Sequence, residues 1–156
     1  MYKKTAMTCI LAAVLLAVMA FAAAAGNDID THRECTYCGM DRKAYGFSRM
    51  LVRYEDGSEV GTCSLHCTVT ELEKHRDKRV RSLLVADRDT RALIEAETAV
   101  WVMGGSKRGV MTMRPTWAFG TRSAAQAFVT ANGGEIVGWK TALEAARLDA
   151  APPSRR

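Results

Sequence analysis

Apolar and polar positions along residues 48–86 predict a strand, a turn, a second strand, a helix and a third strand. Asp56-Gly57 is a turn signal between two apolar runs, so the flanking segments are predicted to pair as a hairpin. Leu65, Val69 and Leu72 then recur at helical spacing after Ser64, which suits an N-cap. The five segments are 48–54, 55–58, 59–62, 65–78 and 80–86.

The pattern between residues 98 and 148 repeats this order and adds a final helix. A strand is predicted at 98–103, a loop at 104–109, and extended segments at 110–113 and 117–120. A helix at 123–131, a strand at 135–139 and a last helix at 141–148 follow. Ser123 is the predicted N-cap of the first helix, and Gly133 with Gly134 ends it.

Hairpin, helix and strand therefore occur twice, which predicts an α+β protein built from two ββαβ-like units. The units span residues 30–88 and 93–148, with a linker near residues 87–92. Residues 149–156 contain two prolines and two arginines and are predicted to form a disordered tail. A chain of 156 residues suits one compact domain or two small subdomains, and it is too short for a large multidomain enzyme.

The first 25 residues have the composition of a secretory signal. Lys3 and Lys4 precede an apolar run that ends in small residues, and no charge occurs between Lys4 and Asp28. Cleavage near Ala25 would release the protein into the periplasm or outside the cell. The alternative is an uncleaved inner-membrane anchor, because the run is only slightly short for a bilayer span. Membrane contact is expected only in that second case.

The charge of the chain gives no reason to expect a nucleic-acid partner. The formal net charge is +5, and loss of residues 1–25 would remove two lysines and no acid, leaving +3. A charge that small, spread over both signs, is not the concentrated basic surface that binds nucleic acid.

Two close cysteine pairs carry the candidate chemistry: Cys35-Thr-Tyr-Cys38 and Cys63-Ser-Leu-His66-Cys67. The predicted hairpin lies between the pairs and a helix follows the second, as in a treble-clef-like metal knuckle. Cys63 and Cys67 straddle the predicted helix start, where the helix dipole favours thiolate.

Three kinds of chemistry are compatible with these spacings. Metal binding is favoured, because Cys-x-x-Cys is a common chelating spacing. Two structural disulfides are the alternative in an oxidising compartment. Thiol redox chemistry is disfavoured, because the Cys-x-x-Cys does not open a helix after a strand; Gly39 follows it and suits a tight turn.

Other soft or borderline ligands accompany the cysteines. Met40 either binds the metal through its thioether or only packs against the hairpin. His66 is either a metal ligand or an exposed helix-cap residue. Met111 and Met113 would share one face of an extended segment, where they either bind Cu(I) or fill core gaps. Soft sulfur ligands suit Cu(I), and Zn(II) is the alternative ion.

Several short blocks of residues also occur in the order of a known family. They are Cys35-Thr-Tyr-Cys38-Gly39-Met40, Tyr54-Glu55-Asp56-Gly57, Gly61-Thr-Cys63-Ser-Leu-His66-Cys67, Ile94-Glu-Ala96, Ala99-Val-Trp-Val102, Trp117-Ala118-Phe119, Ala124 to Phe128 and Gly133-Gly134. With these blocks the chain resembles the NosL family over residues 34–145. The resemblance implies a fold of two ββαβ-type units, related to that of organomercurial lyase.

The same resemblance implies a periplasmic copper-binding accessory protein and not an enzyme. The implied role is a Cu(I) chaperone for the copper centres of nitrous-oxide reductase, with a client cuproenzyme or a copper transporter as partner. Cys35, Cys38 and Met40 become the first-choice copper ligands, and Met111 or Met113 the thioether of the second unit.

The second cysteine pair departs from many relatives. Cys63 and Cys67 add thiolates that many of them lack, which favours a closed four-sulfur site and keeps a structural zinc knuckle open. A thiol oxidoreductase is a third, less favoured hypothesis.

Overall fold

The computed structural model of the protein describes residues 27–151. The predicted signal segment, residues 1–25, and residues 152–156 of the predicted tail lie outside this range. Within residues 27–151, no helix has the length and apolar character needed to cross a membrane.

Four antiparallel strands form the first sheet, in the order β2-β1-β3-β4. These strands are β1 Met50–Tyr54, β2 Glu59–Thr62, β3 Val80–Ala86 and β4 Leu93–Glu95. Helix α1 (Asn27–Thr31) precedes the sheet, and α2 (Leu65–Lys74) connects β2 to β3. The predicted turn between β1 and β2 is confirmed, since Asp56 accepts hydrogen bonds from the N–H and hydroxyl of Ser58.

Three antiparallel strands form the second sheet, in the order β6-β5-β7. The strands are β5 Val100–Met103, β6 Thr116–Phe119 and β7 Glu135–Val137. Helix α3 (Arg122–Asn132) connects β6 to β7, and α4 (Trp139–Ala150) follows β7. In both sheets the first strand of the hairpin is central and the strand after the helix pairs on its other side. This confirms the predicted α+β fold and its repeated ββαβ order.

Strand β4 belongs to the first sheet although it lies at the start of the predicted second unit. Val85 and Ala86 of β3 pair with Ile94 and Leu93 of β4. The segment between them is a turn held by Asp87, whose carboxylate accepts hydrogen bonds from nearby backbone N–H groups. The two halves of the chain are thus joined by a hairpin and not by a free linker.

Some local predictions are wrong. Residues 110–113 form no strand, and Met111 has a left-handed backbone with φ of +57°. Thr121, not Ser123, caps α3, because its hydroxyl accepts the N–H of Ala124 at 3.2 Å. Helix α2 ends at Lys74, four residues early, while α4 continues to Ala150 and takes in the first two residues of the predicted tail.

One hydrophobic core is shared by both halves of the chain. β1, α2 and β3 supply residues such as Tyr54, Val69 and Val85, and the second half adds Trp101 from β5 and Ala146 from α4. The indole of Trp101 is 1% exposed, and its N–H donates to the carbonyl of Ala96 at 2.8 Å. Because α4 packs against α2, the second half supports the helix that carries Cys67.

A buried ion network ties α1 to the first sheet. Oδ2 of Asp28 lies 2.9 Å from Nη2 of Arg42 and 2.9 Å from Nε of Arg49. Arg42 is fully buried and also donates to the carbonyls of Thr62 and Met50. Burial alone would raise the pKa of Asp28, but the two guanidinium groups outweigh it and hold that pKa below its ordinary value. Arg42 therefore fixes the strand end that precedes Cys63.

Residue 61 must lack a side chain for this network to form. A Cβ there would lie 2.5 Å from His32 Cβ and 2.7 Å from Arg42 Cζ. Gly61→Ala is expected to lower the free energy of unfolding by about 2 kcal/mol, since overpacking at a rigid buried site costs ~1–3 kcal/mol. Urea denaturation measures the change.

Gly138→Ala is the matched control for that substitution. A Cβ at Gly138 meets nothing within 4 Å, and its φ of −80° suits any residue. Because Gly138 is the N-cap of α4, where alanine is less favourable than glycine, the free energy of unfolding should fall, but by less than about 1 kcal/mol. Equal losses in the two variants would contradict the steric argument.

Candidate metal centre

The first cysteine pair lies in a tight turn between α1 and β1. The N–H of Cys35 donates to the carbonyl of Met40 at 2.9 Å, and the N–H of Gly39 donates back to the carbonyl of Cys35 at 2.9 Å. Gly39 has a φ of +70°, a conformation that glycine adopts without steric cost. This is the predicted knuckle turn. It is not the helix start that the redox alternative requires.

The knuckle is held against the strand that leads to the second pair. The backbone N–H and the hydroxyl of Thr36 both donate to the carbonyl of Gly61, at 3.2 and 3.1 Å. Cys63 follows β2 directly, and the hydroxyl of Ser48 donates to its carbonyl at 2.8 Å. Ser64 occupies the predicted N-cap position of α2, although its side chain makes no capping hydrogen bond. Cys67 is in the first turn of that helix.

The four cysteine sulfurs converge on one point. Cys35, Cys38, Cys63 and Cys67 have Sγ atoms that all lie within 4.8 Å of one another. Sγ of Cys38 is 3.4 Å from that of Cys63 and 3.9 Å from that of Cys67, and Cys63 to Cys67 is 3.7 Å. A tetrahedral ion with bonds of about 2.3 Å has sulfur–sulfur edges of about 3.8 Å. The geometry therefore fits a four-sulfur metal site.

These cysteines are free thiols and not two disulfides. The sulfur–sulfur distances of 3.4 to 3.9 Å are well beyond the bond length of about 2.05 Å. Each thiol instead lies at hydrogen-bonding distance from another. The alternative of structural disulfides is thus not the arrangement seen here.

Mutual hydrogen bonding separates the acidities of the thiols. Hydrogen bonds from Cys63 and Cys67 lower the pKa of Cys35, whereas the bond to Cys35 raises the pKa of Cys63 to about 12 and also raises that of Cys67. The prediction that the helix start favours thiolate at Cys63 and Cys67 stays a prediction. Since metals bind thiolates, a bound ion would displace these protons.

Apolar side chains from both halves of the chain cover the sulfurs. Tyr37, Met40, Tyr45 and Phe47 pack against the cysteines as half-buried residues. Val110, in the loop between β5 and β6, is 7% exposed and completes this cover. A water-poor surrounding strengthens electrostatic interactions between a cation and thiolates.

Access to the sulfurs is unequal. Cys35, Cys63 and Cys67 are at most 3% exposed, whereas Cys38 is half-buried. Cys38 is therefore the sulfur through which an ion most directly reaches the group.

The other predicted site residues occupy different positions. Met40 packs against the sulfur group, so the structure brings it together with the cysteines. His66 is turned to α4 instead, with Nδ1 3.2 Å from Asp149 Oδ2, and lies outside the sulfur group. Met111 and Met113 lie in the covering loop itself and are 44% and 91% exposed, which excludes the core-filling alternative for both.

A buried carboxylate behind the knuckle was not predicted from the sequence. Glu71 of α2 is 2% exposed, and its two oxygens accept the hydroxyls of Tyr37 and Tyr54 at 2.5 Å each. Tyr37 belongs to the Cys-x-x-Cys segment, so this bond ties the knuckle to α2. In the sequence, the position of Tyr37 between two cysteines is the only hint that its hydroxyl has a structural role. Nothing in the sequence distinguishes its partner, Glu71, from an ordinary polar helix residue.

The chain is similar to known proteins in both sequence and structure. The family model named NosL matches residues 26–145, well over half of the chain. The crystal structure of the copper chaperone NosL from Shewanella denitrificans superposes with a TM-score of 0.56 at 21% identity, covering 72% of this chain and 90% of that one. No curated protein matches significantly.

The tyrosine–carboxylate contact predicts a pH dependence of stability. Burial, together with the hydrogen bond to Glu71, raises the pKa of Tyr54 above its ordinary value of 10.0. As the pH rises, the Tyr54 hydroxyl therefore ionises in the unfolded chain at a lower pH than in the folded chain. The stabilisation is therefore fully present below pH 10 and is lost as pH rises towards the folded-state pKa.

Tyr54→Phe is expected to remove this dependence. Above pH 10, the free energy of unfolding of the wild type should fall more steeply than that of the variant, by about 1.4 kcal/mol per pH unit. Urea denaturation at a series of alkaline pH values measures both slopes. Parallel slopes would show that the Tyr54 hydroxyl ionises alike in the folded and unfolded chains.

Proposed function

The chain belongs to the NosL family, and we propose that it is an exported chaperone that holds Cu(I) on Cys35, Cys38, Cys63 and Cys67. The four sulfurs within 4.8 Å of one another carry this proposal. The similar protein from Shewanella denitrificans is described as a copper chaperone, which supports a carrier role. The protein is accordingly an accessory protein and not an enzyme.

The donor set supports Cu(I) as the cargo. Thiolates and thioethers select soft ions, and Cu(I) is the softest of the common biological metals. Met40 packs against the apolar cluster that contains the cysteines, which supports it as an additional thioether donor. The apolar cover of Tyr45, Phe47 and Val110 limits the approach of water and oxidants to the sulfurs.

Transfer would proceed by ligand exchange at the accessible edge of the site. Cys38 is the half-buried sulfur, so a client's ligand can reach an ion there while the three buried sulfurs still hold it. Met111 and Met113 are exposed in the loop between β5 and β6, just after Val110. We assign them the capture or release of Cu(I) at the surface, since thioethers bind this ion without losing a proton.

We infer the compartment from the N-terminal segment and the client from the family resemblance. The basic and apolar N-terminal segment, residues 1–25, would direct the chain to the periplasm. A cuproenzyme such as nitrous-oxide reductase, or a copper transporter, is the expected partner. A retained N-terminal segment would anchor the same carrier at the inner membrane.

A structural zinc site is the second candidate function. The sulfur–sulfur distances lie near the ~3.8 Å edge of a tetrahedral zinc site. Three of the four sulfurs are buried, and a closed four-sulfur site suits retention better than transfer. In that case the ion would stabilise a binding module and would not be delivered.

Serine substitution at the first cysteine pair separates the two candidates. Titration of the reduced protein with Cu(I) against a chelating competitor should show tight, near-stoichiometric binding. The double variant Cys35→Ser with Cys38→Ser should lose more than about 100-fold in Cu(I) affinity. Loss of a residue outside the coordination shell lowers metal affinity by only about 10–100-fold. Circular dichroism should show that the variant stays folded. Cys9 lies in the predicted signal segment, so Cys9→Ser in the uncleaved chain is the matched control and should bind Cu(I) as the uncleaved wild type does.

Two results of this titration would contradict the copper carrier. Retention of Zn(II) together with failure to bind Cu(I) would favour the structural zinc site. Unfolding of the Cys35 and Cys38 variant would do the same, because a structural zinc ion supplies folding free energy directly.

Export is tested separately from metal binding. Intact-mass analysis of the protein recovered from the periplasmic fraction should show an N-terminus near Ala25. Replacement of Lys3 and Lys4 by Glu should leave the unprocessed chain in the cytoplasm, since a signal needs its basic n-region. Full-length protein in the membrane fraction would establish the anchor alternative instead.

A further inference from the structure

A basic cleft lies beside the cysteine site. It has a volume of about 470 Å³. Two aromatic residues and five charged ones line it: Phe47, Trp117, Arg88, Arg91, Lys107, Arg108 and Asp89. These residues come from the turn after β3, the loop after β5 and strand β6, so both halves of the chain build the cleft.

The charge of the cleft is largely uncompensated. Arg88 forms an ion pair with Asp89, with 2.5 Å between Nη1 and Oδ1. Arg91, Lys107 and Arg108 form no ion pair with any acidic side chain within residues 27–151. Like charges gathered around one concave surface repel one another and raise the local concentration of anions. The cleft is therefore complementary to a ligand that carries several negative charges.

The arginine turn is held rigidly in place. Asp87 accepts the backbone N–H groups of Asp89, Thr90 and Gly120, the last at 2.6 Å. Arg91 has a left-handed backbone with φ of +62°, and its carbonyl accepts a hydrogen bond from the buried Arg49. Strained residues of this kind concentrate at functional sites, and preorganisation reduces the entropy lost on binding.

Two donors in the cleft lining remain unused. Trp117 is 5% exposed, and its indole N–H has no hydrogen-bond partner in the described part of the chain. The same holds for Nε of Arg88, whose guanidinium lies over the ring of Phe128. Buried donors are normally paired, so an acceptor bound in the cleft could satisfy two donors of residues that line it.

The cleft and the sulfur group share their walls. Phe47 packs against the cysteines, and its ring also lies 6.1 Å from that of Trp117. The loop that carries Lys107 and Arg108 continues into Val110, which covers the sulfurs. A macromolecule seated in the cleft would therefore lie next to the metal site.

We propose that this cleft is the docking surface for an acidic segment of the protein that exchanges metal with the cysteine site. Side-chain carboxylates of the segment pair with Arg88, Arg91, Lys107 and Arg108, and the rest of the segment lies against the aromatic floor. Complementary charge steers the partner and fixes its orientation more than it adds affinity. Only the identity of this partner rests on the proposed copper role; the binding of an acidic segment does not.

A synthetic hexaglutamate peptide with capped ends tests the docking surface. Binding to the reduced full-length protein can be followed by tryptophan fluorescence and calorimetry at low and at high salt. We expect saturable binding that weakens steeply with ionic strength. Lys107→Gln with Arg108→Gln should weaken it about tenfold or more, since charge-assisted contacts are lost. Both side chains are exposed, so the fold should not change.

A variant with the same charge change elsewhere is the matched control. Arg81→Gln with Lys140→Gln also removes one arginine and one lysine, and neither forms an ion pair among residues 27–151. This control should bind the peptide like the wild type. Equal weakening in the two double variants would overturn the proposal by showing that only net charge matters. Binding of citrate as tightly as the peptide would also overturn it, in favour of a small-anion site.

The same samples separate this inference from the proposed function. The Lys107 and Arg108 variant should keep wild-type Cu(I) affinity in the competitor titration, because no cysteine is changed. Cu(I) binding without peptide binding would overturn the docking surface alone. Peptide binding without Cu(I) binding would overturn the carrier role and leave the docking surface supported.

Discussion

The buried guanidinium of Arg42 is the constraint on which the rest of the site depends. It neutralises Asp28, and it binds the carbonyls at the facing ends of β1 and β2. A buried charge left without its partner costs several kcal/mol, about 3–5, so the pair forms together with the sheet or not at all. Because Arg42 follows Met40 and its acceptor Thr62 precedes Cys63, this network brings the two cysteine pairs together.

The metal centre depends on both halves of the chain. Its four cysteines come from the first half, but Val110 covers them from the second, and α4 supports the helix that carries Cys67. The same two halves line the basic cleft next to it. The sulfur group is thus buried under an apolar cover, open mainly at Cys38, and bordered by positive charge. This arrangement suits a protein that must hold a soft ion and meet a partner at one edge.

The sequence predicted most elements and singled out the two cysteine pairs whose sulfurs the structure brings together. Turn chemistry at Asp56-Gly57 and apolar periodicity around Val69 are local signals, and both were sufficient. Predictions failed where a residue's role depends on distant neighbours. Residues 110–113 have a strand-like composition but form a loop, because Val110 packs on the cysteines and the backbone at Met111 turns left-handed.

The acidities of the thiols show the same division between local and tertiary effects. The helix start is visible in the sequence, but the proximity of Cys35 to Cys63 and Cys67, which lowers the pKa of Cys35 and raises those of the other two, is not. Sequence by itself determined the ligand types, their spacing and the repeated ββαβ order, since these follow from residue chemistry and short-range periodicity. Only the tertiary structure decided that four sulfurs meet at one point, that His66 turns to Asp149, and that separated basic residues form one cleft. Those outcomes depend on packing between segments far apart in the chain, which no local pattern encodes.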